Sequence, residues 1–321
     1  MQFRLASGAV STLVAFGTGR QWEHVTKAWI TLQAITGQFR ESADMQRELA
    51  MGSRDAVLYF GEAGMWDETL AAWGELQDTA RQFPSVPAIQ IELAKGAGDL
   101  IAYCEGADRY GLLTEVWHVL ETVAAAAPDD PDMQGWFALG ATNRMRNVRD
   151  AEQIGVCWRV LADLASRFEE HVQLQRNLTF GAANAIAIFA RACDRAGVAD
   201  ACRQLELLSK RAPNDAELQT AVARGAVYEM NYHADAANWA AFYRTWERLR
   251  WIAAAFPMNV PINVQTAKGA YQAYVSYLRI AESKKLDNAW LWLERIDARF
   301  PSHPEIAPLV QNAPFSPYKV Y

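Results

Sequence analysis

The chain has 321 residues, 51% of them hydrophobic and 21% charged, with a formal net charge of −6. That balance describes a soluble, well-cored protein, and no uninterrupted apolar stretch is long enough to span a membrane, so no membrane insertion is expected. The acidic net charge and the lack of a dominant basic patch argue against nucleic acid as the partner.

The N-terminal run MQFRLASGAVSTLVAFG sets Arg4 before apolar and small residues, as a short signal peptide does. Gln2, Leu5, Ala6, Gly8 and Ala9 nevertheless recur in register further on, so the run is expected to be the first helix of a repeat. The segment Pro84 to Pro128 shows one whole unit. Ile89, Leu93, Ala94, Ala97, Leu100 and Ile101 fall at helical spacing, Glu105-Gly106-Ala107-Asp108 breaks the pattern, and Leu113, Val116, Trp117, Leu120 and Val123 form a second helical run. Pro128 stops that run, and Pro87 and Pro131 suit the first turn of the helices they open. Each unit is therefore expected to be a hairpin of two helices of about 15 to 18 residues. The fourth unit is three residues short between Gly140 and Trp158, where Arg144, Arg146 and Arg149 cluster. A tighter turn or a docking site at a kink would each explain it. After the last hairpin, Glu305 to Asn312 is expected to cap the stack, followed by the Pro-rich aromatic tail 314–321.

The units align on Gly8, Gly52, Gly96, Gly140, Gly181, Gly225 and Gly269, every step being 44 residues except the short fourth. Six residues earlier stand Gln2, Gln46, Gln90, Gln134, Gln175, Gln219 and Asn263. In the second half, Trp29, Trp73, Trp117, Trp158, Trp246 and Trp290 keep register, with Cys202 in the remaining slot, and three residues after each comes Leu. Small residues let the first helices approach closely, and Trp and Leu fill the space between hairpins that cannot bury both faces alone.

These positions resemble the tetratricopeptide repeat family. The resemblance rests on Ala94, Ala138, Ala223 and Ala267 ten residues after a closing proline, on Ala28, Ala72, Ala201 and Ala289, on the Leu column and on the proline itself, across about residues 1–313. The 44-residue unit and the Gln in the first helix depart from the family pattern. The resemblance implies an all-α fold, a right-handed α-solenoid of about seven helix-turn-helix repeats, forming one domain over residues 1–313.

The Gln column admits two readings: a ladder of amides grasping an extended backbone, or a brace on the turn from the preceding hairpin. Its regularity favours the brace, since binding surfaces vary from unit to unit. A variable stripe lies elsewhere on the first helix, on the face that lines the concave groove of tetratricopeptide proteins. It holds Arg47, Arg54, Lys95, Asp99, Asn143, Arg176, Asn184, Arg224, Tyr228, Lys268 and Gln272. Six bases there against two acids, Asp55 and Asp99, suggest an acidic peptide held by charge-assisted hydrogen bonds.

Chemistry is otherwise sparse. Cys104, Cys157, Cys193 and Cys202 lack metal-type spacing and read as reduced core residues, and His24, His118, His171, His233 and His303 form no i, i+4 pair. No phosphate loop or nucleophile elbow occurs, so no cofactor or metal is expected. The leading expectation is a non-enzymatic, cytoplasmic scaffold or adaptor that binds a peptide segment in its groove or docks as a subunit of a larger complex. A helical-repeat RNA binder is one alternative. An α/α-toroid enzyme is another, suggested by the repeated Gln and Trp but lacking a carboxylate pair.

Overall fold

A computed structural model describes residues 2–104, 109–148 and 150–313. The break at Glu105 to Asp108, Arg149 and the tail 314–321 lie outside the described residues. Those residues form α-helices and one 3₁₀ turn, with no strand among them. In chain order the helices are α1 (Gln2–Thr18), α2 (Trp22–Thr36), α3 (Ala43–Ala63), α4 (Trp66–Gln82), α5 (Pro87–Tyr103), α6 (Tyr110–Ala126), α7 (Pro131–Asn147) and α8 (Ala151–Arg167). They continue as α9 (Val172–Arg191), α10 (Arg195–Arg211), α11 (Ala216–Asp235), α12 (Trp239–Ala255), α13 (Val260–Arg279), α14 (Ser283–Arg299) and α15 (Ala307–Gln311).

Local chemistry sets the ends. Asp130, Asp194, Asp215, Asn238 and Asn259 accept hydrogen bonds from the first free N–H groups of α7, α10, α11, α12 and α13. Pro87 and Pro131 occupy first turns, where a missing N–H costs nothing. The turns inside hairpins pass through the left-handed region at Arg20, Gly64, Cys193, Ala237 and Ala281. Only Gly64 does so without steric cost.

The Gln column braces helix ends. The amide of Gln90 donates to the carbonyls of Ala80 (2.9 Å) and Phe83 (3.1 Å), and that of Gln134 to Ala124 (2.8 Å) and Ala127 (3.0 Å). Gln46 and Gln219 repeat the pattern, and the shorter Asn263 reaches Phe256 and Pro257. These carbonyls lie in or just past the final turn of the preceding helix, where no intrahelical donors are left for them.

The Leu and Gly columns are one device. A Cβ on Gly52 would stand 2.1 Å from Leu32, on Gly96 2.6 Å from Leu76, on Gly140 2.2 Å from Leu120, on Gly225 2.2 Å from Leu205 and on Gly269 2.3 Å from Leu249. Each Leu of one hairpin thus fills the gap left by the glycine of the next, and all five leucines are fully buried. Burial of one such side chain contributes about 1.5–3 kcal/mol. The column tryptophans are at most 7% exposed, and Trp29 meets Phe60 of the next hairpin edge-on at 5.9 Å.

The chain packs as two compact units, residues 1–148 with 160–174 and residues 149–159 with 175–321. The boundary falls within the shortened fourth repeat. In the first unit α1, α3, α5 and α7 pack successively, while α2, α4 and α6 each touch the next first helix. In the second, α11 packs on α10, α12 and α13, and α15 packs on α13 and α14. α7 has 17 residues, as α5 has, where α11 and α13 have 20. Arg144 is buried in the last turn of α7 over the Trp117 ring at 4.6 Å, in the place where a cation suits the helix end. The C-terminal helix is shorter than expected and begins at Ala307, after Ile306 has been buried. None of the four cysteines forms a disulfide, but only Cys104 and Cys157 are buried; Cys193 is exposed in a left-handed turn and Cys202 is half-buried, so these two are not core residues.

Candidate functional site

In the first unit, close packing of successive first helices brings the variable stripe into one network. Arg54 on α3 pairs with Asp55 (2.8 Å) and, across to α5, with Asp99 (3.1 Å). Lys95 pairs with Glu92 (2.7 Å). Both cations lie near the ring of Trp136 on α7, at 6.0 and 5.9 Å. Asn143 donates to the carbonyl of Gly98 at 3.2 Å, tying α7 to α5. Burial, with Asp55 and Glu92 nearby, pushes the Asp99 carboxyl up to about 6 despite the attraction of Arg54. Arg47 stands apart and exposed.

In the second unit the stripe residues also have partners. Arg176 pairs with Asp215 (3.2 Å) and Glu217 (2.9 Å), Lys268 with Glu305 (2.7 Å), and Arg224 donates to Asn184 (3.4 Å) while lying over Phe180. Gln272 bonds its helix neighbour Ser276, and Tyr228 lines a small cavity beside Asn231. The excess of positive charge counted along the stripe is therefore largely neutralised. The neutralising groups Glu92, Asp215, Glu217 and Glu305 sit outside the counted positions.

The sequence did not single out a second charged cluster, on α10, α11 and α12. Glu229 is 8% exposed and is held by Arg248 and by His233, whose Nε2 lies 3.4 Å away. Burial pushes the Glu229 carboxyl up, but the hydrogen bond from His233, the Arg248 charge and the bond from Thr245 outweigh it and hold it at about 2. The Cys202 thiol bonds the same carboxylate, and burial beside that charge pushes its own pKa up. His233 Nδ1 is buried without a partner. The cluster borders a cavity of about 720 Å³. The available signal was Cys202 itself, the one gap in the Trp column.

Among the described residues no group of three or more His, Cys, Asp or Glu side chains could hold a metal ion, and no helix is long and apolar enough to cross a membrane. The fold defines the class, an all-α protein of repeated helical hairpins. No family model matches the chain, and no curated protein matches it.

Proposed function

We propose that the protein is a non-enzymatic scaffold that binds a segment of another protein along the face of its first helices. The supporting observation is a division of labour between columns. The Gln, Leu, Gly and Trp columns are consumed by helix ends and hairpin contacts, so they repeat. The stripe carrying Arg54, Lys95, Asp99 and Asn143 differs in every hairpin, and the contacts it makes between hairpins, Arg54 to Asp99 and Asn143 to the Gly98 carbonyl, do not recur as a column. In the first unit it sets the half-buried Trp136 among Arg54, Lys95, Asp55, Glu92 and Asp99. Aromatic and arginine side chains with restricted mobility are the usual anchors of protein interfaces. The paired charges favour a segment carrying both signs over a purely acidic one.

The test is co-purification of partners with the full chain, comparing wild type with Arg47→Glu/Lys95→Glu. A protein captured by wild type and lost from the double variant, at unchanged far-UV circular dichroism, supports the face as the site. Retention of the same protein by the variant moves binding elsewhere. Capture of nucleic acid, released steeply by salt, would favour the RNA-binding alternative.

A further inference from the structure

The fifth and sixth hairpins break the repeat in several columns at one place. The Trp slot holds Cys202. The position filled by Ala56, Leu100, Ala185 and Ala273, and by Arg144 in the fourth hairpin, holds Glu229, and the one filled by Phe60, Cys104, Val148, Phe189 and Tyr277 holds His233. The position filled by Ala28, Ala72 and Ala289 holds Thr245. All of those apolar counterparts are buried, so each change exchanges core packing for polar chemistry. A single such change would be a tolerated defect. Three that converge on the fourth, a buried carboxylate, from three helices make a built site, because a buried charge without such support would be strongly destabilising.

The missing indole leaves space. The cavity of about 720 Å³ runs over Cys202, Glu229, His233 and Thr245. That volume lies in the range of small-molecule sites, about 300–1,000 Å³, in which a few polar groups converge. The charge of its lining decides the ligand. Glu229 is engaged by Arg248, and Glu206 by Lys210 at 2.8 Å. Arg195 and Arg244, both exposed at the edge, have no carboxylate partner among the described residues and leave an excess of two positive charges. Trp251, 61% exposed, adds a flat apolar surface to the same lining.

We infer that this cavity is a binding site for a small organic anion, a carboxylate or phosphate ester, gripped by Arg195 and Arg244 with its body against Trp251. Glu229 positions His233 and Arg248 and does not itself touch the anion. Arg195 also borders the smaller cavity that Tyr228 lines, but the polar cluster faces away from the stripe. Glu229 and His233 lie on the opposite side of α11 from Arg224 and Tyr228 at 3.6 residues per turn.

The experiment is isothermal titration calorimetry of the full chain with AMP and with citrate. AMP combines a phosphate ester with a ring, and citrate offers carboxylates alone. Either probe is expected to bind with a Kd of about 1 mM or tighter. Arg195→Gln/Arg244→Gln, at two exposed positions that folding does not need, is expected to weaken binding about tenfold or more. Cys202→Trp restores the repeat residue, narrows the cavity beside Glu229 and is expected to weaken binding. Neither probe binding below about 10 mM overturns the inference. So does binding that the double arginine variant leaves unchanged, and that variant decides the matter if Cys202→Trp fails to fold.

Discussion

The terminal methyl of Leu76 lies 2.6 Å from where a Cβ on Gly96 would stand, and Leu76 is fully buried. The glycine column is thus a set of sockets. The first socket is empty: nothing lies within 4 Å of a Cβ at Gly8. The same substitution therefore has opposite signs at equivalent positions. Gly96→Ala is expected to destabilise by about 1–3 kcal/mol through overpacking. Gly8→Ala is expected to stabilise by up to about 1 kcal/mol, since alanine is the better helix former. Urea unfolding of the two variants beside wild type measures both. Loss of stability at Gly8 comparable to that at Gly96 would mean the column serves helix geometry and not the leucine.

Between helices, two carboxylates, the half-buried Asp99 and the buried Glu229, respond to pH in opposite directions. Asp99, on α5 against Arg54 of α3, has its pKa raised to about 6, so the folded state binds its proton more tightly than the unfolded chain. Its contribution is fully present below the unfolded value near 4 and is lost as pH rises through about 6. Asp99→Asn should therefore gain stability relative to wild type, by about 1–3 kcal/mol at neutral pH and by little near pH 3.5. Glu229, on α11 against Arg248 of α12, is held at about 2. Its contribution is present above about 4.5 and fades as pH falls toward about 2, so Glu229→Gln should cost most at neutral pH. Urea melts at the two pH values check both signs, and parallel changes in the two variants would refute the assignment. Neither network was legible in the sequence, although the hairpins were. A column such as Gln46, Gln90, Gln134 repeats and so announces its own structural duty. Arg54 shows its partner only when α3 and α5 lie side by side, because Asp99 is 45 residues away along the chain. Glu92, Asp215 and Glu305 sit outside the stripe that was counted, which is why it looked basic. Cys202, Glu229, His233 and Thr245 each pass for an ordinary deviation until α10, α11 and α12 bring them to one carboxylate.

At the scale of the whole chain, the contacts run from one hairpin to the next within each unit, as the Leu-to-Gly sockets do. Stability then approximates a sum of hairpin terms and nearest-neighbour interface terms. That form makes a statement about pairs of mutations. Gly96 and Leu76 share one socket, so Leu76→Ala, which alone costs about 2–5 kcal/mol by leaving a cavity, also makes the room that Gly96→Ala needs. The double variant should be less destabilised than the sum of the singles by about 0.5–3 kcal/mol. Gly96→Ala and Gly225→Ala belong to different units and share no partner, so their effects should add to within about 0.5 kcal/mol. Denaturant unfolding of the five variants closes both cycles. Additivity in the shared socket would remove the knob-and-socket account of the repeat. Strong coupling between the distant glycines would mean that the hairpins do not stabilise one another by neighbour contacts alone.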